Sequence, residues 1–316
     1  RNMETDKMKR TWEKDILLGT AVGDALGFPV QFLDRATVQK EPVTGMHPWH
    51  SVWSDDTSLS LCLADSLCGG YDLQDIGNKF VDWLYEGLWT PKGEAFDIGI
   101  TTDRAISRLA NGYPPREAGM DRERDNGNGS LMRISPLVPA IRGFGREEQE
   151  RRIAEVSSLT HRHPRSVLAC IFLCGFELAC MEGQALPEAF ARMQRRVAEL
   201  LETERFREEA PHFERLLHLD YASFKALPEQ DVRSGGYVME TLEASLWCIF
   251  NHDNYRDSVL HAVNLGHDAD TTGAVTGAVA GMLYGYASIP QEWVDALARK
   301  EDIIALADKL DAVLEK

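Results

Sequence analysis

The sequence predicts an all-α fold, a single domain spanning residues 1–316. Three observations carry this. Apolar residues recur at the helical period in one stretch after another, no strand–helix alternation is present, and no Gly/Ser-rich linker divides the chain. With 316 residues, 44% of them apolar and 9% aromatic, the chain can enclose a full core and is too apolar for wholesale disorder.

The elements follow in order. Trp12, Ile16, Leu17, Ala21 and Leu26 place a helix over 12–25, stopped by Gly27 and Pro29. Residues 34–52 carry prolines, glycines and polar residues without periodicity and read as a surface loop. Leu59, Leu63 and Leu67 mark a helix over 57–68, ended by Gly69 and Gly70. Further helices are predicted over 73–87 and 102–110, which puts Asp97 near a loop-to-helix junction. Residues 116–130 form a charged, glycine-containing loop that feeds a buried helix or turn over 131–141. Two helices, 147–158 and 165–181, flank a break at His161–Pro164, with Pro164 suited to a helix start. A charged outer helix follows over 186–204, and 207–235 could be an excursion from the domain. Helices over 235–250, 255–263, 270–284 and 295–314 complete the chain, the third with glycines and alanines that suggest close backbone packing.

Charge and cysteine content bound the function. Thirty-four basic against fifty acidic residues give a net charge of −16, which disfavours a broad nucleic-acid surface. The six cysteines form no tight paired repeat, so a reduced, cytoplasmic setting is expected, with Cys170 and Cys174 in the core. No charged-then-apolar leader opens the chain, and 276–286 is too short and glycine-rich for a membrane span, so no membrane partner is expected. Arg1 is not an ordinary initiating residue, so either processing or an artificial boundary is expected before it, with Met3 as one expected natural start.

Two acidic clusters carry the chemistry. Ser54-Asp55-Asp56-Thr57 and Asp268-Ala269-Asp270-Thr271-Thr272 each precede a helix, where carboxylates cap backbone N–H groups and are also hard oxygen ligands. Capping explains either alone; together, if both helix starts face one cleft, they make a site for one or two Mg²⁺ or Mn²⁺ ions. Arg116, Arg122, Arg124 and Arg133 surround the segment Asn126-Gly127-Asn128-Gly129-Ser130, which reads either as a phosphate-holding loop or as a solvated turn and lacks the lysine of a nucleotide P-loop. His161 and His163 can donate to a ribose, a phosphate or an acidic partner, or serve a structural turn.

Together with the 19–27 stretch Gly-Thr-Ala-Val-Gly-Asp-Ala-Leu-Gly, Asp97-Ile98-Gly99, 127–133 and 160–164, these clusters resemble the ADP-ribosylglycohydrolase family over most of the chain. The resemblance implies a compact orthogonal multi-helix domain with a binuclear Mg²⁺ or Mn²⁺ centre held by Ser54, Asp55, Asp56, Asp268, Asp270 and Thr271. It implies Asp97 and Asp56 as catalytic residues, and Gln31, Asp97, Gly127, Asn128, Gly129, Ser130 and His161 as substrate contacts. The implied reaction is hydrolysis of the N-glycosidic bond between ADP-ribose and a protein arginine. Three positions depart from the family pattern: Ser54 stands where threonine is common, Gln31 where many relatives have glutamate, and His267 where many have glycine. Gln31 raises a second reading, an ADP-ribose- or metal-binding protein with weak turnover. A third is an acidic protein that docks on and neutralises an ADP-ribosyltransferase toxin.

Overall fold

Helices account for all the regular structure in the computed structural model, which describes residues 10–316. Met3, the expected start, lies outside the described residues. Among the described residues the only β pairings are isolated bridges of Met120 with His161 and Gly127 with Tyr237. The order is α1 (Trp12–Gly27), α2 (Arg35–Lys40), α3 (Asp55–Leu67), α4 (Leu73–Glu86), α5 (Ile100–Ala110), α6 (Leu137–Ile141), α7 (Arg146–Ser158) and α8 (Pro164–Met181). Then come α9 (Leu186–Leu200), α10 (Glu214–His218), α11 (Tyr221–Lys225), α12 (Val238–Phe250), α13 (Tyr255–Asn264), α14 (Ala269–Tyr284), α15 (Gln291–Asp295) and α16 (Lys300–Leu314).

The centre of the molecule is the crossing of α1 and α14, both buried over nearly their whole length. Gly19, Gly23 and Gly27 of α1 face Gly277, Gly273 and Ala269 of α14, backbone against backbone. A Cβ on Gly23 would lie 2.0 Å from the Gly273 carbonyl oxygen, so only glycine permits this approach. The Tyr255 hydroxyl of α13 seals the seam by donating to the Gly19 carbonyl at 2.7 Å.

Around that pair, α3, α12, α13 and α16 pack with their apolar faces inward, and α8 lies in the same core. Helix α8 is long and apolar enough to cross a membrane by composition, with mean hydropathy 1.5, but 83% of it is buried inside the protein, as a core helix should be. Residues 207–235 form short helical turns whose Phe213, Leu216, Phe224 and Val232 are buried in this same core, with the Phe224 ring against Phe190 and Phe250.

Local differences from the sequence expectation have identifiable causes. The loop expected over 34–52 contains α2, a helix too short to show a period, started by Asp34 accepting from the Thr37 N–H at 2.7 Å. The single helix expected over 295–314 is interrupted between α15 and α16. There Arg299 is left-handed (φ +55), Trp53 donates to the Ala298 carbonyl at 2.8 Å, and Arg299 reaches the Thr90 carbonyl at 3.1 Å. These tertiary bonds outweigh local helical preference. The 131–141 segment is a 3-10 turn (Leu131–Arg133) followed by α6, and the outer helix α9 ends at Leu200.

Candidate metal centre and its cleft

The α1–α14 crossing sets two carboxylates side by side, and α3 brings a third. One oxygen each of Asp24, Asp56 and Asp270 lies within 4.8 Å of the others, and all three residues are buried. Asp24 organises the group. Its carboxylate accepts from the Ser54 N–H (2.8 Å), the Thr57 N–H (3.2 Å) and the hydroxyls of Ser54 (2.9 Å) and Thr57 (2.6 Å). A side chain of α1 thus caps the N-terminus of α3, whose own N-cap, Ser54, makes no capping bond. The Ser54 hydroxyl also lies 3.1 Å from Asp56 and 3.3 Å from Asp270.

The orphaned atoms show what the group is built for. Asp56 Oδ2 and Asp270 Oδ1 are buried without a hydrogen-bond partner among the described residues. Burial, then repulsion from Asp268, lifts the Asp56 pKa to about 6; burial and repulsion from Asp56 raise those of Asp24 and Asp270. Unpaired buried oxygens on crowded carboxylates fit a hard divalent cation, which removes both costs. No clustered cysteine or histidine accompanies them, unlike a structural zinc site.

Above this floor the cleft is lined by Asp55, Asp56, Asp268, Asp270 and Thr271, while Ser54 lies beneath it, fully buried. Burial and the adjacent Asp56 also raise the Asp55 carboxyl. Asp268 is held by the Asn128 side-chain amide at 2.7 Å. Asp24 was not among the ligands expected from the clusters. Its signal is a carboxylate standing alone among the apolar and small residues of 16–27, beyond the charged first turn of α1, where an unpaired charge is not tolerated.

One wall brings Gln31 to Asp97: the Gln31 Nε2 donates to Asp97 Oδ2 at 2.8 Å, and both line the cleft. Asp97 is exposed with a left-handed backbone (φ +54), an uncommon conformation for a non-glycine residue and one that gathers at functional sites.

The opposite wall is the 127–129 loop and His161. Gly129 is required there because a Cβ would sit 2.5 Å from His161 Cε1. His161 is buried, and loss of solvation, reinforced by Arg133, pulls its pKa down to about 3, so it is a neutral imidazole. Arg133 donates to Thr160 Oγ1 at 2.7 Å, and the Thr160 hydroxyl pairs with His161 Nδ1 at 2.8 Å, which fixes the ring.

Ser130, expected to contact substrate, is not part of the cleft lining: its hydroxyl is fully buried, accepting from Ser157 Oγ at 2.8 Å and 3.4 Å from Cys170 Sγ. The loop turns it inward to anchor the glycines to α7 and α8. The four arginines also separate. Arg116 pairs with Glu155 and Arg122 with Asp125, Arg133 is buried behind His161, and Arg124 alone lines the cleft, exposed and without an ion pair among the described residues.

The family model for ADP-ribosylglycohydrolase matches residues 12–316. The chain is 34% identical over 310 residues to the ADP-ribosylarginine hydrolase Tri1 of Serratia proteamaculans, covering 94% of this chain and 78% of that protein. It is 31% identical over 293 residues to the ADP-ribosyl-[dinitrogen reductase] glycohydrolase of Rhodospirillum rubrum, covering 90% and 89%. A solved structure described as an ADP-ribosylglycohydrolase-related protein complex superposes with a TM-score of 0.77 at 31% identity, covering 97% of this chain and 99% of that one. With its helical fold and a candidate metal-binding carboxylate cluster at the cleft floor, the chain belongs to the ADP-ribosylglycohydrolase family.

Proposed function

We propose that this cleft hydrolyses the N-glycosidic bond between ADP-ribose and an arginine side chain of a modified protein, with two Mg²⁺ or Mn²⁺ ions as cofactors. The observation that carries the reading is the set of orphaned carboxylate oxygens of Asp56 and Asp270 beside Asp24, at the floor of a cleft whose wall presents Asp97. Asp24, Asp56 and Asp270 would hold the ions, with Asp55, Asp268 and Thr271 within the same cleft. When bound, such ions supply positive charge that orients sugar hydroxyls and acidifies water.

The chain's own groups supply the rest. Asp97 accepts a proton from the attacking water as its oxygen bonds to the anomeric carbon. The carbon–nitrogen bond breaks with its electron pair going to nitrogen, and the departing guanidine takes up the proton that Asp97 received from water and leaves as a cation, which returns Asp97 to its carboxylate. Gln31 donates to Asp97 and fixes its orientation, but an amide accepts no proton, so Asp97 alone of the pair holds it. The neutral His161 offers an uncharged ring edge to the sugar side, and Arg124 offers charge for the diphosphate.

A hydrolysis panel tests the reading, using defined ADP-ribosyl-arginine and ADP-ribosyl-serine conjugates with Mg²⁺, with Mn²⁺ and with chelator. Release of ADP-ribose from the arginine conjugate only when a divalent ion is present, and its loss in Asp56→Ala, is the expected result. No release from any conjugate at saturating metal defeats the assignment.

A further inference from the structure

The mouth of the cleft carries two large apolar side chains that nothing in the fold covers. Phe32 is 75% exposed and Ile100 72% exposed, and both line the cavity that holds the carboxylates. Isolated exposed apolar residues are ordinary; a pair at the entrance of a reaction cleft is not.

Both are held in place. The segments that carry them are tied by the Gln31–Asp97 hydrogen bond at 2.8 Å and by the edge-on contact of Phe28 with Phe96, ring centres 5.8 Å apart. Phe32 has a left-handed backbone (φ +66), as does His267 (φ +58). The Phe32 N–H donates to the His267 carbonyl at 2.5 Å, and the His267 N–H donates to the Leu33 carbonyl at 2.6 Å. A bulky residue in that backbone region is strained, so these bonds hold the phenyl ring outward against its local preference.

We propose that Phe32 and Ile100 form a two-sided lip that takes the guanidinium and aliphatic stem of the conjugated arginine, and so set the preference for arginine over serine linkage. This rests on the hydrolase reading above and deepens it. An arginine conjugate presents three methylenes and a planar cation beside the sugar; the phenyl face stacks on the cation and the isoleucine covers the methylenes. The Asp97 carboxylate on the same wall favours that positive charge. A serine conjugate offers one methylene and no charge, while the ADP-ribose part is the same in both.

The test uses the full chain with Mn²⁺ and compares Phe32→Ala, Phe32→Tyr and Ile100→Ala on arginine- and serine-linked ADP-ribosyl peptides. Phe32→Ala should raise KM for the arginine conjugate about fivefold with little change in kcat, and Phe32→Tyr should restore it. Ile100→Ala should give a smaller rise, and inhibition by free ADP-ribose should not change. Unaltered Tm in all three variants, expected for exposed side chains, separates the effect from misfolding. No KM change on the arginine conjugate, equal changes on both conjugates, or wild-type turnover of the serine conjugate alone overturns the lip. Wild-type turnover of neither conjugate instead defeats the hydrolase reading, and the lip falls with it.

Discussion

At 2.8 Å the Gln31 amide supplies Asp97 with a donor where glutamate would supply a second carboxylate. The pairing orients Asp97, and it predicts the response to two substitutions. On the proposed mechanism Asp97→Asn removes the proton acceptor and should lower kcat about 100-fold or more at every pH. Gln31→Glu places two carboxylates within hydrogen-bonding reach, and like charges that close raise the pKa of the pair. Because the basic form is the active one, the acidic limb of kcat/KM should move to higher pH by about one unit or more. A pH–rate profile unchanged in Gln31→Glu would show that Asp97 is not the group that limits the acid side.

Within α8, Glu177 is fully buried; its Oε1 accepts from the Ser135 hydroxyl at 2.9 Å and its Oε2 has no partner. Burial lifts its pKa from an ordinary 4.5 to about 8. The folded protein therefore keeps a proton that the unfolded chain releases, and this group's contribution to stability falls as pH rises from about 4.5 to about 8. Glu177→Gln should raise Tm over wild type at pH 8, with the gap closing toward pH 5 in a thermal-melt series; a constant gap would place the proton elsewhere. The apolar period of α8 was readable from sequence, but no pattern within one helix reports what a buried carboxylate meets across the core. The same limit explains the site. The helices that begin at Asp55 and Ala269 were legible to within two residues, although neither acidic cluster makes the side-chain cap expected of it, and the Gly129 loop was legible from its composition. Asp24 as a partner, the inward turn of Ser130 and the break before Arg299 were not, because each is decided by a contact with a distant segment.

Across the whole molecule, the carboxylates at the cleft floor come from α1, α3 and α14, stretches near both ends of the sequence. An ion bound there binds the folded state alone, which is worth about 2.7 kcal/mol at a hundredfold excess over Kd. Mg²⁺ or Mn²⁺ should therefore raise Tm by several degrees over sodium chloride at matched ionic strength, and Asp56→Ala should abolish the rise; equal melting in all three salts would remove the metal from the floor. The net charge of −16 makes the matched control necessary, since any salt screens self-repulsion. The contact of Gly23 with Gly273 leaves no thickness between α1 and α14 for one helix to slide on the other. If the proposed reaction holds, accommodating conjugates of different bulk falls to the surface turns around Phe32 and Ile100, while the spacing of the carboxylates beneath stays constant whatever protein is attached to the sugar.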